Sequence, residues 1–464
     1  MDLMGKKTLV LGAGKSGIAA AKFLRARGAV PIALHDKKPL AEWSDEARSL
    51  KEQFNIGLLD GDMPSWLLDQ IDLVVISPGV PTGAIPARYV ERKDGEVIGE
   101  IELGYRFLKG KIVGITGSNG KTTTTTLIHE LLKNAKIKTQ VGGNIGTPLV
   151  DLVETSTDET WTVIELSSFQ LETIREFRPN IGICLNVTPN HLDRYALFAD
   201  YAAAKHRLFM NQTADDLAIL NADNDVTASW AKGGLRAQTV LFSTEKELDE
   251  GLFLRGRDLI SRANAREKVL TTRDEMTLRG RHNVENVLAA IAAGLACGAA
   301  PDSMRETIQN FKAVEHRLEF VEEIAGVKFY NDSKATSVDA TLKALEALAE
   351  EAGEIILILG GRGKNAPYAP LAPLIEKKVR RLILIGEDAD NIENQLAQFV
   401  EITRADSMSD AVEKSLAAAQ SGDSVLLAPA CASFDMFKSF EERGRIFKEA
   451  VLDLARGVNP KSKI

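Results

Sequence analysis

Short runs of consecutive hydrophobic residues recur along the whole chain, and most of them end in glycine, serine, asparagine or aspartate. Such runs are typical of strands that are buried on both faces of a parallel sheet. Amphipathic stretches between the runs predict helices. The predicted strands are residues 8–12, 73–77, 112–116, 162–166, 181–186, 217–221, 327–331, 355–360, 382–386 and 425–429, and the predicted helices include 18–27, 123–134, 284–297 and 337–348. This alternation predicts an α/β fold.

Residues suited to binding ligands follow the predicted strands in three separate parts of the chain. In open α/β sheets, ligands collect at the carboxyl ends of the strands. Three clusters therefore predict three domains, which we expect at residues 1–99, 100–313 and 314–464.

Composition narrows the class of protein. The 464 residues carry a formal net charge of −8, which argues against a large nucleic-acid interface. The three cysteines are far apart, so neither a disulfide framework nor a thiolate zinc site is expected. The sequence has no apolar run near the ~20 residues of a membrane span and no signal-peptide pattern. We expect a cytoplasmic protein with no nucleic-acid or membrane partner.

The first cluster predicts a diphosphate site. Gly12-Ala13-Gly14-Lys15-Ser16-Gly17 matches G-x-G-x-x-G between a predicted strand and a predicted helix, and Asp36 ends the next strand. Glycines let the backbone approach a diphosphate, and the helix N-terminus supplies N–H donors. Ser77-Pro78-Gly79 ends a later strand and could line the same crevice. The motif fits NAD or a UDP-sugar equally, and it could also be a turn that binds nothing.

The central cluster predicts a phosphate loop with a metal ligand. Gly120-Lys121-Thr122 ends a glycine loop between a strand and a helix, although its spacing from Gly114 is one residue longer than in the strict P-loop. The lysine can reach phosphates and the threonine hydroxyl can bind Mg²⁺. Glu165 ends another predicted strand, where it is either a second Mg²⁺ ligand or a helix cap.

Other residues of this region are less specific. His191 follows the predicted strand at 181–186, where ligand and structural roles both remain open. Asn283 and Asn286 open a helix, so they could read adenine or simply cap the helix. Spacing alone makes Lys205 an ordinary exposed lysine of a helix.

The third cluster predicts a site for a small anion. Arg317 suits a phosphate, and Lys334 and Thr336 suit a carboxylate. Gly360-Gly361-Arg362-Gly363-Lys364 forms another glycine turn. Ala430-Cys431-Ala432-Ser433-Phe434-Asp435 leads into a helix that carries Phe440, Arg443 and Gly444. Each residue alone could be a cap or a solvated charge, but the four turns together favour a ligand.

These motifs resemble those of the Mur ligases, the ATP-dependent amide ligases of cell-wall synthesis. The resemblance rests on Thr116-Gly117-Ser118-Asn119-Gly120-Lys121-Thr122, Glu165-Leu166-Ser167-Ser168-Phe169-Gln170, His282-Asn283, Glu315-His316-Arg317 and Asn331-Asp332-Ser333-Lys334-Ala335-Thr336. Three more segments are similar to those of the D-glutamate-adding member: Gly143-Asn144-Ile145-Gly146, His191-Leu192-Asp193-Arg194-Tyr195 and the segment from Ala430 to Asp435. Arg362 departs from the family, in which an acid can occupy this turn.

The resemblance covers essentially the whole chain and implies the nature of each domain. Residues 1–99 would form a Rossmann-like domain for the UDP part of the substrate. Residues 100–313 would form a P-loop-type ATPase domain with a mainly parallel sheet. Residues 314–464 would form a second Rossmann-like domain for the amino acid.

The resemblance also implies site residues. For ATP these are Gly117, Ser118, Asn119, Gly120, Lys121, Thr122, Thr123, Asn283, Asn286, Arg317 and Asp332. For the UDP-sugar they are Gly14, Lys15, Ser16, Asp36, Lys37, Ser77, Gly79, Asn144 and His191. For D-glutamate they are Lys334, Thr336, Lys364, Ser433 and Phe440. Two Mg²⁺ ions would be held by Thr122, Glu165, His191 and a carbamylated Lys205. The implied catalytic residues are Lys121, His191, Lys205 and Lys334.

The implied reaction joins D-glutamate to UDP-N-acetylmuramoyl-L-alanine, through an acyl phosphate and a tetrahedral intermediate, with release of ADP and phosphate. We expect a monomer. The competing hypotheses are a hydride-transfer enzyme, a non-catalytic nucleotide-binding module and a folate polyglutamylating ligase.

Overall fold

The computed structural model describes residues 1–30, 32–64, 66–85, 89, 95–189, 194–278, 280–311, 315–349, 353–363 and 366–458. Two compact units are present. Unit one comprises Met1–Glu275 and Glu285–Gln309, and unit two comprises Met276–Val284 and Asn310–Ile464.

Unit one begins with a five-stranded parallel sheet. Its strands are β1 (Thr8–Leu11), β2 (Ile32–Asp36), β3 (Gly57–Asp60), β4 (Leu73–Ile76) and β5 (Glu96–Gly99), in the spatial order β3-β2-β1-β4-β5. The strand order reverses between β1 and β4, so the crevice at their carboxyl ends is the expected position for a ligand. Leu9 and Val74 of these two strands are fully buried, as the continuous apolar runs predict.

The second sheet of unit one has nine strands. They are β6 (Lys111–Thr116), β7 (Thr139–Gly143), β8 (Trp161–Glu165), β9 (Ile181–Cys184), β10 (Leu217–Asn221), β11 (Gln238–Ser243), β12 (Gly251–Arg255), β13 (Asp258–Ala263) and β14 (Arg266–Thr272). Their order is β14-β13-β12-β11-β10-β9-β6-β8-β7, and all pairings are parallel except β12–β13 and β13–β14. Strand β6 lies between β9 and β8, so residues after these three strands meet at one edge.

Unit two contains a six-stranded sheet. Its strands are β15 (Glu319–Ile324), β16 (Val327–Asn331), β17 (Ile355–Gly360), β18 (Val379–Ile385), β19 (Ile402–Arg404) and β20 (Ser424–Leu427), in the order β15-β16-β20-β17-β18-β19. Only the β15–β16 pairing is antiparallel. Ile356 and Leu357 of β17 are fully buried and belong to hydrophobic clusters on opposite faces of the sheet.

Helices connect the strands in both units. The α-helices are Lys15–Ala26, Asp45–Phe54, Glu100–Tyr105, Lys121–Asn134, Ser168–Leu171, Phe198–His206, Asp225–Lys232, Arg281–Ala296, Pro301–Asn310, Val338–Leu348, Ala372–Lys378, Ala389–Leu396, Met408–Ala418 and Phe440–Val458. Short 3₁₀ helices lie at Leu40–Glu42, Leu68–Gln70, Thr82–Ala84, Leu149–Leu152, Arg207–Phe209, Arg273–Glu275 and Ala369–Leu371. Among the residues described, none of these helices combines the length and the apolar character needed to cross a membrane.

The α/β prediction is confirmed, and all ten predicted strands are present within a few residues of the expected bounds. The antiparallel extension β12–β14 is a feature that the sequence pattern did not reveal. Asn264 and Ala265 connect β13 to β14, and both have positive φ, 51° and 59°. A two-residue hairpin turn of this kind is usually marked by glycine at the second position. Because alanine occupies that position here, the sequence does not indicate a hairpin.

Candidate active site

The phosphate loop of unit one joins β6 to the helix Lys121–Asn134. Gly117 and Gly120 adopt φ of 152° and 82°, values that residues with a side chain rarely adopt. A Cβ atom on Gly120 would also lie 2.2 Å from Asn286 Oδ1, so a larger residue would clash there. The glycines therefore permit a turn that leaves the helix N-terminus open toward an anion.

Neighbouring strands hold this loop in place. The Ser118 and Asn119 backbone N–H groups donate to the backbone oxygen and Oδ1 of Asn186, which follows β9, both at 2.9 Å. Ser118 Oγ lies 3.1 Å from the Tyr201 hydroxyl. Lys121 Nζ donates to the carbonyl oxygens of Gly117 and Ser118 at 2.8 and 3.0 Å. The Lys121 ammonium therefore lies against the backbone of the loop.

Glu165, at the end of β8, connects two of the predicted sites. The Thr122 hydroxyl donates to Glu165 Oε2 at 2.8 Å, and Asn144 Nδ2 donates to Glu165 Oε1 at 2.8 Å. The carboxylate is 2% exposed. A hydroxyl and a carboxylate beside a phosphate loop are the oxygen ligands that Mg²⁺ prefers. Within the described part of the chain, no three His, Cys, Asp or Glu side chains form a metal-binding group.

Lys205 is fully buried beside the same loop, contrary to the exposed position that its spacing suggested. Its Nζ donates to the Gly117 carbonyl at 2.8 Å and lies 4.6 Å from the centre of the Tyr201 ring. Burial, reinforced by the Lys121 ammonium, lowers the pKa of this amine well below its usual value. Lys205 is therefore favoured as a neutral amine, which is nucleophilic.

The adenine candidates belong to different units. Asn286 is 3% exposed, and its Oδ1 accepts a 3.2 Å hydrogen bond from the Thr124 hydroxyl, next to the phosphate loop. Thr123 is buried in the first turn of the loop's helix. Asn283 is buried and belongs to unit two.

The G-x-G-x-x-G turn follows β1 at the crevice between β1 and β4. Gly12 has φ 97°, and the Ser77 hydroxyl, after β4, donates to its carbonyl at 3.2 Å. Asp36 accepts hydrogen bonds from the backbone N–H groups of Ala13 and Lys38 at 2.8 and 3.0 Å. This aspartate therefore shapes the turn directly.

The remaining UDP candidates are accessible around this turn. A Cβ atom on Gly14 or Gly79 would meet nothing within 4 Å, so both glycines border open space. Lys15 Nζ donates to the Gly146 carbonyl, which links the turn to the segment that carries Asn144. Ser16 is half-buried, and Lys37 is exposed.

A small, narrow cleft extends from the carboxyl ends of β4 and β5 toward the nine-stranded sheet. Its lining includes Ser77, Pro78, Glu100, Phe169 and Arg194. Glu100 Oε1 accepts from the Val150 N–H at 2.8 Å. Burial raises the pKa of the Glu100 carboxyl to about 7.

In unit two, Lys334 lies against Phe440, which the family resemblance also assigns to D-glutamate. Its Nζ is 3.8 Å from the centre of the Phe440 ring, and its carbonyl accepts from the Thr336 N–H at 2.8 Å. Ser433 is 2% exposed at the start of the turn that follows β20. Three of the D-glutamate candidates, Lys334, Thr336 and Phe440, are thus close together in this unit.

Asp332, beside Lys334 in the chain, keeps part of its surface exposed but is surrounded by enough protein to be strongly desolvated. Desolvation raises the pKa of its carboxyl to about 7, and the Arg317 guanidinium opposes this shift. The two residues predicted to reach the nucleotide from the third domain are therefore electrostatically coupled.

Arg443 lies on the helix that follows the last predicted turn, and the sequence assigned it no individual role. It is 1% exposed and donates to Ser333 Oγ, to the Ser333 carbonyl and to the Cys431 carbonyl at 3.0, 2.9 and 3.1 Å. It thereby joins the two turns that carry Lys334 and Ser433. The only signal in the sequence is an arginine on the inner face of the final helix. His191 and Lys364 lie outside the described residues.

Comparison with known proteins matches this architecture in all three parts of the chain. The MurD-like N-terminal domain model of the Mur ligases matches residues 6–99. The Mur ligase middle domain matches residues 115–294, and the Mur ligase glutamate ligase domain matches residues 316–431.

Relatives extend over nearly the full length. The UDP-N-acetylmuramoylalanine–D-glutamate ligase of Koribacter versatilis is 46% identical over 455 residues, which are 98% of this chain and 99% of the relative. The enzyme of the same name from Solibacter usitatus is 48% identical over 461 residues, which are 99% of this chain and 100% of the relative. The chain belongs to the Mur ligase family. The family resemblance predicted from the motifs is thereby confirmed.

Solved Mur ligases share the fold at low sequence identity. MurF ligase from Thermotoga maritima, in complex with ADP, has a TM-score of 0.62 and 16% identity, with 98% of this chain and 100% of that chain covered. UDP-N-acetylmuramate-alanine ligase MurC from the same organism has a TM-score of 0.59 and 18% identity, with 97% and 100% covered. The three-domain α/β prediction is confirmed at the level of the Mur ligase fold.

Proposed function

We propose that this Mur ligase joins D-glutamate to UDP-N-acetylmuramoyl-L-alanine at the expense of ATP. The names of the full-length relatives support this assignment. The observation that carries it is the buried Glu165 carboxylate, which accepts from both Thr122 of the phosphate loop and Asn144. One side chain thus connects the nucleotide site to the residue that we assign to the acceptor substrate.

The reaction has two steps. The terminal carboxylate of the UDP-sugar attacks the γ-phosphate of ATP, which gives ADP and an acyl phosphate. The amine of D-glutamate then attacks the activated carbonyl, and the tetrahedral intermediate loses phosphate as the amide forms. The protein contributes positioning and charge stabilisation, as in other phosphoryl transfers.

In the nucleotide site, the loop from Gly117 to Gly120 would surround the phosphates, with Lys121 neutralising their charge. Asn283 and Asn286 would bind adenine, Thr123 would support the first turn, and Arg317 and Asp332 would complete the site. The ADP complex of the similar MurF ligase supports nucleotide use.

Two Mg²⁺ ions would be held by Thr122 and Glu165, and by His191 and carbamylated Lys205. When bound, they would supply positive charge beside the transferring phosphoryl group. The hydroxyl and carboxylate pair at 2.8 Å fits this role chemically. A neutral Lys205 amine adds to CO₂ and loses a proton, which converts a repelled cation into an anionic oxygen ligand. Its buried position beside Lys121 supports this modification.

For the other substrates, we assign UDP binding to Gly14, Lys15, Ser16, Asp36, Lys37, Ser77 and Gly79, and the muramoyl-alanine part to Asn144 and His191. D-Glutamate would be held by Lys334, Thr336, Lys364, Ser433 and Phe440. The domain bounds that we propose are 1–99, 100–313 and 314–464. We further propose that the protein acts in the cytoplasm as a monomer, in peptidoglycan synthesis.

The deciding experiment measures ADP release by the purified chain with UDP-N-acetylmuramoyl-L-alanine and a panel of D- and L-amino acids. We expect ADP release with D-glutamate, and no more than background when either the UDP-sugar or the amino acid is omitted. Background release with every combination would instead indicate a non-catalytic nucleotide-binding module.

Two competing classes of enzyme predict different results in the same assay. A hydride-transfer enzyme would bind NAD(P)H and leave ATP uncleaved. A folate polyglutamylating ligase would not require the UDP-sugar, and it would release ADP only when a folate is supplied together with glutamate. Preference for L-glutamate would retain the ligase class but overturn the proposed substrate.

Magnesium binding has its own test, Glu165→Gln, which keeps the size of the side chain but removes its charge. We expect the Mg²⁺ concentration needed for half-maximal activity to rise by about tenfold or more. Glu159→Gln is the matched control, because Glu159 is exposed just before the same strand. An unchanged Mg²⁺ requirement in Glu165→Gln would remove this residue from the metal site.

A further inference from the structure

Arg194 connects the two sheets of unit one at the cleft. Its NH1 group donates to the Pro78 carbonyl at 2.8 Å, in the turn after β4. Its NH2 group donates to Glu172 Oε2 at 3.2 Å, and its guanidinium lies 3.9 Å from the centre of the Phe169 ring. Glu172 and Phe169 follow β8, so the arginine is anchored on the nine-stranded sheet and reaches across to the five-stranded one.

The turn that Arg194 contacts is the one assigned to the UDP-sugar. The Ser77 N–H donates to the Leu11 carbonyl, and the Val80 N–H donates to the Ser77 carbonyl at 3.0 Å, which closes the turn around Pro78 and Gly79. These bonds fix both ends of the turn. The Pro78 carbonyl lies between them, and Arg194 donates to it directly.

We propose that Arg194 is a positioning residue that sets the Ser77-Pro78-Gly79 turn for the UDP-sugar. This inference rests on the proposed function. In the chain, Arg194 belongs to the same segment as His191, which we assign to the same substrate. The guanidinium would hold the Ser77-Pro78-Gly79 turn in the position that the UDP-sugar requires.

The chemistry of the contacts requires arginine. A planar guanidinium can stack on Phe169 while its edge donates in two directions, to Glu172 and to Pro78. The lysine ammonium retains the charge but has no planar fork, so it cannot make all three contacts together. Tyr195 strengthens the anchor, since its hydroxyl also donates to Glu172 and its ring stacks on Phe169 at 5.9 Å.

A second arginine provides a matched control. Arg27, at the end of the helix Lys15–Ala26, pairs with Glu154 at 2.7 Å and lies over Phe23 at 4.0 Å. It makes an ion pair and a ring contact comparable to those of Arg194, and it also connects the region of the five-stranded sheet to the nine-stranded one. It does not contact the turn after β4. Replacing Arg27 therefore measures the effect of losing an ion pair and a ring contact between the two sheets while the turn after β4 keeps its contacts.

The experiment compares Arg194→Lys with Arg27→Lys in the full-length enzyme. For Arg194→Lys, we expect the KM for UDP-N-acetylmuramoyl-L-alanine to rise by about tenfold, the size expected for losing a hydrogen bond from a charged donor. The KM for ATP and the kcat at saturating UDP-sugar should stay within about twofold of the native values, because the phosphate loop is untouched. For Arg27→Lys, all three constants should stay within about twofold.

Glu172→Gln extends the test if Arg194→Lys does not fold. It removes the charge that anchors the arginine and should raise the same KM less strongly. An unchanged KM for the UDP-sugar in either folded variant would overturn the inference, as would an equal rise in the KM for ATP. If the native enzyme itself fails to release ADP with both substrates present, the proposed function fails and not merely the role of Arg194.

Discussion

The amine of Lys205 lies 2.8 Å from the carbonyl oxygen of Gly117, the first glycine of the phosphate loop. The Lys121 ammonium donates to the same carbonyl at 2.8 Å. Two lysines therefore converge on one oxygen, and only one of them is buried on every side. Two positive charges so close together, one without access to water, favour loss of the proton from Lys205.

Replacing Lys205 by alanine should abolish most of the activity. Without an anionic oxygen at this position, we expect ADP release to fall by at least about a hundredfold. Formate or acetate should restore part of it, because a short carboxylate fits the vacated space and supplies the missing oxygens. Lys232→Ala is the control, since Lys232 lies near the surface at the end of another helix of unit one. Full activity of Lys205→Ala without added carboxylate would contradict a carbamate at this position.

Gly120→Ala should both destabilise the fold and raise the KM for ATP. The substitution places a side chain at φ 82°, which costs about 1–2 kcal/mol, and moves a Cβ atom to 2.2 Å from Asn286 Oδ1. Gly298→Ala separates the two effects, because Gly298 has φ 90° but no atom within 4 Å of its Cβ position. We expect both variants to lose stability in denaturant unfolding and only Gly120→Ala to raise the KM for ATP. Equal KM values would show that the loop tolerates the clash.

Local chemistry made part of this site predictable from the sequence. The glycines and Lys121 are adjacent in the chain, and Glu165 follows a continuous apolar run. Both patterns therefore indicate residues at the carboxyl ends of parallel strands, where ligands bind. Lys205 is different. Its helix, Phe198–His206, carries alanines at positions that do not define a strongly apolar face, so spacing alone placed the lysine in solvent. Only the family resemblance identified it.

The burial of Arg443 and of Glu100 could not be predicted from the sequence, for a related reason. Arginine and glutamate side chains are exposed to solvent in most proteins. The burial of these two depends on contacts between segments that are far apart in the chain. Arg443 bonds to residues 110 and 12 positions away, and Glu100 to a residue 50 positions away. Periodicity within a helix carries no information about such partners.

Arg443→Met should weaken D-glutamate binding and destabilise the protein. Methionine fills much of the space but leaves the Ser333 and Cys431 carbonyls buried without a donor. We expect the free energy of unfolding to fall by about 3 kcal/mol. The KM for D-glutamate should rise, because the turns that carry Lys334 and Ser433 lose their common partner. Arg445→Met, two residues along the same helix and exposed, is the control and should change neither quantity. A loss of stability with an unchanged KM would limit Arg443 to a structural role.

Glu100→Gln should change how the stability of the protein depends on pH. Burial, together with the neighbouring Asp151 carboxylate, raises the pKa of Glu100 from 4.5 to about 7, although the Val150 N–H opposes the shift. Its Oε2 atom has no hydrogen-bond partner among the described residues. Below pH 4.5 the carboxyl is protonated in both the folded and the unfolded chain, so it causes no penalty. As the pH rises toward 7, only the unfolded chain ionises, and the native state loses stability.

Each pKa unit corresponds to about 1.4 kcal/mol, so the penalty at pH 8 should reach about 3 kcal/mol. Glutamine does not ionise and can keep the hydrogen bond from Val150 through its own oxygen. Denaturant unfolding of the native protein and of Glu100→Gln at pH 5 and pH 8 measures the difference. We expect the variant to gain stability relative to the native protein between these values, whereas Glu52→Gln, at an exposed glutamate, should not. If the unfolding free energies of the native protein and of Glu100→Gln change in parallel with pH, the Glu100 carboxyl titrates in its ordinary range, and the cleft beside the UDP-sugar turn is more polar than its contacts indicate.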